Sequence, residues 1–147
     1  MKLLTKHFGE LDIDEDKIIT FPEGLPGFEQ EREFIIINNE DDENPFQWMQ
    51  SVSNPDLAFV IINPFHVFPD YEIDIPENVQ KKLMINDERE VAIYSIVVVP
   101  KDLYNMTVNL LGPIIININK RIGKQVILED SRYTTKHYIF KQAEGGE

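Results

Sequence analysis

The sequence predicts a small, mainly β domain, either barrel-like or a sandwich, with one short helix near residues 77–84. Short runs rich in isoleucine, valine and phenylalanine recur along the chain, and these residue types favour strands. Turn-forming residues separate the runs, and only one segment has apolar residues at helical spacing. We therefore predict that residues 1–141 form a single β-rich domain and that residues 142–147 form a polar, flexible tail.

The first strands are predicted at residues 3–11 and 17–21, with an acidic turn at 12–16 between them. Asp12, Asp14 and Asp16 alternate in this turn as they do in calcium-binding loops. Lys17 stands at the sixth position, where such a loop needs its glycine for the sharp turn. We therefore expect no metal site here.

Residues 21–28 read FPEGLPGF and form the most constrained stretch of the chain. Pro26 fixes its own φ, and Gly27 adopts a positive φ without steric cost, so the stretch has the residue order of a type II turn. Its apolar side chains are Phe21, Leu25 and Phe28. Loops are usually polar, so these side chains favour a corner buried against the core. A rigid rim of a binding surface is the alternative.

Three strands are predicted in the next part of the chain, at residues 33–37, 46–52 and 57–62. Apolar and polar residues alternate in the second of these, which places Phe46 and Trp48 on one face.

The segment from 65 to 74 combines aromatic and acidic residues more densely than any other. Its members with this chemistry are Phe65, His66, Phe68, Asp70, Tyr71, Glu72 and Asp74. Tyr71 and the two isoleucines that follow alternate with Glu72 and Asp74, so one side of the segment is acidic and the other apolar. Pro76 then suits the first turn of the predicted helix, in which Val79 and Leu83 share a face.

The last third of the chain reads as further strands. A strong strand is predicted at 91–99 and is ended by Pro100. Residues 106–117 form two β runs bent at Gly112-Pro113, as happens where a strand turns a barrel corner or changes sheets. A strand at 125–128 and a last strand or short element at 133–140 complete the prediction.

The composition of the chain excludes several kinds of site and segment. The chain has no cysteine, which excludes disulfides, thiolate zinc sites and a cysteine nucleophile. The N-terminal residues contain no apolar core of a signal peptide, and the longest apolar runs have the length of strands and fall short of a membrane span. We therefore expect a soluble cytoplasmic protein with no membrane partner.

Charge is the most informative bulk property. The formal net charge is −12, which argues against direct binding to a phosphate backbone and favours a basic protein partner. Residues 120–141 carry six basic and two acidic side chains, a local net of +4, so the remainder of the chain carries −16. A solvated face is the ordinary interpretation of any one of the short charged runs.

The ordered series of motifs resembles the flagellar assembly factor FliW family. The matching pieces are FPEGLPGF at 21–28, PFQWMQS at 45–51, LAF at 57–59, the segment 64–71, NLLGPIIIN at 109–117 and QVIL at 125–128. The pieces occur in order along nearly the whole chain. Residues 40–43 and the tail match nothing in this series, so no role is assigned to them.

The resemblance implies a small β-barrel-like fold and a non-enzymatic regulatory protein with two alternative partners. One is flagellin before its export, and the other is the RNA-binding translational repressor CsrA. In such a switch the free protein sequesters CsrA and releases flagellin synthesis, and newly made flagellin recaptures the protein. The family offers no catalytic residue and no cofactor.

The residues predicted to form the partner-binding surface are Phe46, Trp48, Phe65, Phe68, Asp70, Tyr71, Glu72 and Asp74. The aromatic members suit a groove that holds an amphipathic helix, and the acidic members suit a basic partner. Core packing is the alternative for the aromatic residues. An unassigned small enzyme or a ligand-binding barrel is the alternative function, although the three histidines are dispersed and lack a neighbouring nucleophile signature.

Overall fold

The structure is a computed structural model that describes residues 1–38, 41, 43–130 and 132–140. Over these residues it contains eleven strands and two α-helices. The strands are β1 (Lys2–Thr5), β2 (Gly9–Asp12), β3 (Ile19–Thr20), β4 (Glu33–Ile37), β5 (Phe46–Ser51), β6 (Ala58–Ile62), β7 (Val91–Val98), β8 (Thr107–Val108), β9 (Ile114–Asn117), β10 (Ile122–Gln125) and β11 (His137–Tyr138). The helices are α1 (Pro64–Val67) and α2 (Glu77–Lys82).

Seven strands close into a barrel, which confirms the predicted mainly β, barrel-like fold. The pairing runs from β7 through β6, β5, β4, β3 and β10 to β9, and β9 pairs back with β7. Six of these seven pairings are antiparallel, whereas β3 and β10 are parallel and share the single register pair Thr20–Ile122.

Along one edge, the two halves of strand β7 pair with different strands, whereas Ser95, Ile96 and Val97 pair with barrel strand β6 along the other edge. Its first half, from Val91 to Tyr94, pairs with β9, and its second half pairs through Val97 and Val98 with β8. Strand β11 pairs with β8 on the far side. Strands β8 and β9 flank the bend at Gly112-Pro113 and pair with different halves of β7. The two β runs predicted around this bend are therefore confirmed as β8 and β9.

The barrel interior is filled by side chains from almost every wall strand. The fully packed members are Ile19, Phe21, Leu25, Phe34, Met49, Ile61, Ile114 and Ile116. Alternate residues of each strand point inward, so closure turns one face of every strand into a common core. Strand β7 packs the partly buried Ala92, Tyr94 and Ile96 against this cluster, and β10 contributes Gly123, where an added Cβ would lie 2.8 Å from the Phe21 ring.

A second core lies outside the barrel wall. Outward-facing residues of β6, β7 and β9, namely Ile62, Val97 and Ile115, are buried beneath α2 and the segments around 110 and 126–128. Val79 and Leu83 supply the apolar face of α2 to this outer core, as their helical spacing predicts.

The corner at 21–28 is a type II turn, as predicted. Gly27 has φ of 85°, and the Phe28 N–H donates to the Leu25 carbonyl oxygen at 2.7 Å. Phe21 and Leu25 are buried, but Phe28 is 41% exposed, so its predicted burial is wrong. Phe28 instead lies edge-on against Phe59 at 5.5 Å between ring centroids.

Two strand boundaries and one helix differ from the sequence-based prediction. The predicted strand at 3–11 is the hairpin of β1 and β2, because the Thr5 hydroxyl accepts the Phe8 N–H and turns the chain. The predicted strand at 125–128 is wrong except for Gln125, because β10 runs from Ile122 to Gln125 and residues 126–128 belong to no strand. The short helix α1 was not predicted, although Asn63 caps it through the Phe65 N–H and Pro64 occupies its first turn. The predicted tail at 142–147 lies outside the described residues.

The contact between Phe21 and Gly123 supplies a stability test. We expect Gly123→Ala to destabilise the protein by about 1–3 kcal/mol, because the new methyl group overlaps the buried Phe21 ring. Phe21→Leu removes ring atoms at that point and should cost less in the Gly123→Ala background than in the wild type. Urea denaturation of the four proteins measures the coupling. Additive effects would contradict this packing.

Candidate functional site

Residues 71–76 form a ridge between two surface grooves; we call this segment the ridge. Its alternation is as predicted: Tyr71 is buried, Ile73 and Ile75 are half-buried, and Glu72 and Asp74 are exposed. The backbone here is extended without belonging to a strand. One side of the segment therefore packs on the outer core while the other presents carboxylates to solvent.

Two long-range hydrogen bonds and one local hydrogen bond hold the ridge. The Tyr71 hydroxyl donates to the Leu110 carbonyl oxygen at 2.7 Å. The Glu72 N–H donates to the Tyr133 hydroxyl oxygen at 2.9 Å. At the end of the ridge, the Gln80 side-chain amide donates to the Ile75 carbonyl oxygen at 2.8 Å. The acidic residues are thus carried on a backbone that is fixed at both ends.

The aromatic residues near the ridge form one cluster around Tyr71. Its ring centroid lies 5.5 Å from that of Phe65 and 4.8 Å from that of Tyr133. His137 extends the cluster, at 6.1 Å from Tyr133 and 6.0 Å from Phe68. Phe65 is 38% exposed, whereas Tyr71 is only 5% exposed. Phe65 therefore faces solvent, and Tyr71 supports the surface from below.

The ridge lines both grooves. The first groove, of about 550 Å³, lies between the ridge and Phe65, Glu88, Val91 and Ile93. The second groove, of about 580 Å³, lies between the ridge, the start of α2 and residues 126–130. A further cavity of about 620 Å³ continues from Phe65 towards Asn63, Gln47 and Glu43. Phe65 thus lies where two cavities meet.

Carboxylates dominate the rims of the two grooves. They are Glu72, Asp74, Glu88, Glu129 and Asp130. Arg132 is the cation that contacts this set, at 2.7 Å from Asp130 and 3.9 Å from Glu72. Its guanidinium also lies 5.1 Å from the centroid of the Tyr133 ring. The hydrogen bonds from Arg132 lower the pKa of Asp130, so this carboxylate stays ionised and the surface keeps an excess of negative charge.

The predicted site residues do not all meet at this surface. Phe65, Tyr71, Glu72 and Asp74 line the first groove, and Phe68 joins their aromatic cluster through His137. Asp70 is exposed in the turn before the ridge. Phe46 is half-buried and packs against the outer core.

Trp48 has a different environment. Its ring lies on β5 beneath the turn of the β1–β2 hairpin, with centroids 5.1 Å from His7 and 5.3 Å from Phe8. The Lys6 N–H also donates to the Pro55 carbonyl oxygen at 3.0 Å, which ties the hairpin to the turn between β5 and β6. Half-buried Trp48 therefore fastens the hairpin to the barrel.

Sequence reasoning missed Tyr133, Arg132 and Glu129 as parts of this surface. They lie about 60 residues after the ridge along the chain. Glu72 and Tyr133, which share a hydrogen bond, are 61 positions apart. No local pattern links the two segments, because their contact depends on how the outer core folds. The aromatic character of Tyr133 was the available signal.

The described residues contain no group of three or more histidine, aspartate or glutamate side chains placed to hold a metal ion. In the same part of the chain, no helix has the length and apolar character needed to cross a membrane. The surface instead combines exposed carboxylates, half-buried apolar side chains and a backbone held by hydrogen bonds. This is the chemistry of a protein-docking surface.

Tyr71 gives the first test of this site. We expect Tyr71→Phe to lower stability by about 1–3 kcal/mol, because the buried Leu110 carbonyl oxygen loses its donor. Burial raises the pKa of Tyr71 above its ordinary value, so the native state keeps the phenol neutral while the unfolded chain ionises above pH of about 10. Wild-type stability should therefore fall in that range, and less so in Tyr71→Phe. Equal alkaline losses of the two proteins would contradict this.

Trp48 gives the second test. We expect Trp48→Ala to lower stability by about 2 kcal/mol, less than for a fully buried tryptophan, because only the hairpin side of the ring is covered. His7→Ala, which removes one of the two covering rings, should cost less. Guanidinium denaturation followed by circular dichroism measures both. Unchanged stability of Trp48→Ala would return this residue to the partner-binding surface.

Comparison with known proteins places the chain in a family. The family model described as FliW protein matches residues 2–139. A flagellar assembly factor FliW of Caldicellulosiruptor saccharolyticus is 48% identical over 134 residues, covering 91% of this chain and 87% of that protein. Its counterpart in Alkaliphilus metalliredigens is 47% identical, covering 97% and 88%. A crystal structure of the flagellar assembly factor FliW superposes with a TM-score of 0.89 at 44% identity, covering 97% of this chain and 99% of that one. The chain therefore belongs to the FliW family of flagellar assembly factors.

Proposed function

We propose that this chain is a cytoplasmic, non-enzymatic regulatory protein of flagellar assembly that binds flagellin and antagonises the translational repressor CsrA. Flagellin and CsrA are alternative partners in this proposal, and the exchange between them couples flagellin synthesis to export. The observation that carries the proposal is the acidic ridge between two grooves, in a chain that belongs to a family of flagellar assembly factors.

The charge of the surface supports CsrA as a partner. A protein that binds RNA presents basic surface to phosphates, and this chain has a net charge of −12. Glu72, Asp74 and Glu88 project from backbone that does not need to be ordered on binding. Such fixed carboxylates accelerate encounter with a basic partner and oppose the approach of phosphate even beside the RNA site.

The apolar parts of the same surface support flagellin as a partner. Terminal segments of flagellin are expected to be amphipathic helices that need cover before assembly. Phe65 is exposed where two cavities meet, and Phe68 lies half-buried against His137. An exposed aromatic ring next to a groove with Val91 and Ile93 on its wall suits an apolar helix face.

The alternative function, a small enzyme or a ligand-binding barrel, receives less support. The barrel interior is occupied by the side chains of Phe21, Phe34, Met49 and their neighbours, which leave no lumen for a ligand. The two grooves and the cavity beside Phe65 lie on the outside of the wall and are open to solvent.

Charge reversal tests the acidic ridge. The triple variant Asp70→Lys, Glu72→Lys, Asp74→Lys should weaken CsrA binding at least tenfold, mainly through a slower association rate, and raised salt should weaken the wild-type complex in the same way. A matched control reverses Glu15, Asp16 and Asp56, which are exposed, lie outside both grooves and change the net charge equally. Surface plasmon resonance gives both rates.

If the control variant weakens CsrA binding equally, the effect depends on net charge and not on the ridge. If the ridge variant keeps its affinity, the CsrA site does not include the ridge. A pull-down with purified CsrA and flagellin, singly and in competition, tests the two-partner function itself. Failure of both proteins to bind the wild-type chain would overturn the proposal.

A further inference from the structure

The polypeptide beyond β10 remains a strand edge that is paired on one side. The Val126 N–H donates to the Pro113 carbonyl oxygen at 2.9 Å, and the Leu128 N–H donates to the Leu111 carbonyl oxygen at 2.8 Å. These bonds continue the antiparallel pairing of β10 with β9. Because amide directions alternate along an extended chain, the N–H groups of residues 127 and 129 point to the opposite side.

That opposite side has no strand on it. Over the described part of the chain, the N–H groups of Ile127 and Glu129 donate to no backbone or side-chain acceptor. Strand β3 covers β10 only at its start, through the pair Thr20–Ile122. We call residues 125–129 the open edge. It spans about 13 Å, enough for four to five residues of an added strand.

The open edge forms one wall of the second groove, and the ridge and α2 form the other. Apolar side chains, namely Ile73, Val79, Val126 and Leu128, line its floor. Above them stand the carboxylates Glu72, Asp74, Glu129 and Asp130. Ile127 is 60% exposed and points outward, since the side chains on either side of it are buried. The groove therefore offers backbone donors, an apolar floor and acidic rims together.

We propose that the open edge binds an extended segment of a basic protein partner by strand addition, with apolar and basic residues alternating along that segment. Main-chain hydrogen bonds to residues 127 and 129 would align it, its apolar side chains would face Ile73 and Val79, and its basic side chains would face the carboxylates. The inference rests on the proposed function in one respect, since CsrA is the partner expected to supply the segment.

Charge decides between the occupants of this edge. Four carboxylates line the groove, and the contacting cation Arg132 is already paired with Asp130 and Glu72. A second copy of the chain would bring Glu129 and Asp130 against the same residues, so self-pairing is opposed by like charges. Nucleic acid is opposed for the same reason. A lysine- or arginine-bearing strand is the complementary occupant.

A synthetic peptide tests the binding mode without CsrA. The probe is a nine-residue peptide in which valine and lysine alternate, titrated into the ¹⁵N-labelled protein and followed by NMR and amide hydrogen exchange. We expect saturable shifts at residues 125–129 and the ridge, and slower exchange of the Ile127 and Glu129 amides. A peptide of the same composition with its lysines grouped at one end should bind at least tenfold more weakly, because it cannot place valines on the floor and lysines at the rims.

Backbone chemistry then separates strand addition from charge attraction alone. N-methylation of alternate peptide amides removes the peptide's own donors and keeps all charges. When these amides face the open edge, the methyl groups also prevent close approach, so the slowed exchange of the Ile127 and Glu129 amides should be lost. In the protein, Ile127→Pro removes the outward N–H without breaking the pairing to 111–113, and Ile127→Thr is the control that keeps this N–H. We expect at least a tenfold loss of peptide affinity for Ile127→Pro and a smaller loss for Ile127→Thr.

Equal binding by the alternating, grouped and N-methylated peptides would overturn strand addition, and so would shifts confined to residues outside the second groove. A concentration-dependent dimer involving residues 125–129 would overturn it in favour of a second copy. The peptide results do not require Ile127→Pro to fold. If CsrA binds but the peptide does not, strand addition fails and the proposed function stands; if the peptide binds but CsrA does not, the partner assignment fails.

Discussion

Closure of the barrel depends on the packing of Phe21 against a backbone position that has no side chain. The two strands joined there, β3 and β10, share one register pair, so hydrogen bonding alone is sparse at this seam. The fully buried Phe21 ring fills the space in front of Gly123 and meets Phe34 edge-on at 5.5 Å. Apolar packing therefore stabilises the seam, where few hydrogen bonds join the strands. The corner at 21–28 positions the Phe21 ring for this packing.

The candidate surface around the ridge depends on that seam only indirectly. Closure fixes β9 and β10 against β7, and the outward faces of these strands become the floor of the outer core. Tyr71 and Val79 pack on this floor, which sets the position of the ridge and of α2. The carboxylates of the ridge are exposed only because the residues between them are anchored below. The positions of the surface charges are thus set by apolar contacts that lie beneath the surface.

Much of the fold follows from local patterns, whereas the pairing of distant segments does not. Apolar runs identify β4 and β7, alternation identifies β5, and residues Pro26 and Gly27 are enough to predict their turn. Nothing local reveals that β7 divides between β9 and β8, or that β3 lies parallel to β10. Asn63-Pro64 carried the signal for α1, but four helical residues are too few for periodicity to show.

The candidate site was also predictable from the sequence only in part. The acidic and apolar sides of residues 71–75 are visible in the sequence, because they depend only on alternation. The second groove is not, because its other wall is formed by residues 126–130, which the chain brings to the ridge through the outer core. Trp48 was ambiguous for a related reason. An aromatic residue on the outer face of a strand can serve a partner or another part of the same chain, and here the hairpin covers it.

The position of Trp48 also determines what an optical experiment on this protein reports. It is the single tryptophan of the chain, and it lies at the boundary between the hairpin and the barrel, outside both cores. Its emission therefore follows the docking of the hairpin, whereas far-ultraviolet circular dichroism follows the barrel strands. Hairpin β1–β2 forms a sheet of its own, so the two signals report on units that can separate at different denaturant concentrations. The midpoint of a denaturation curve followed by tryptophan fluorescence alone would therefore measure the detachment of the hairpin and leave the stability of the barrel unmeasured.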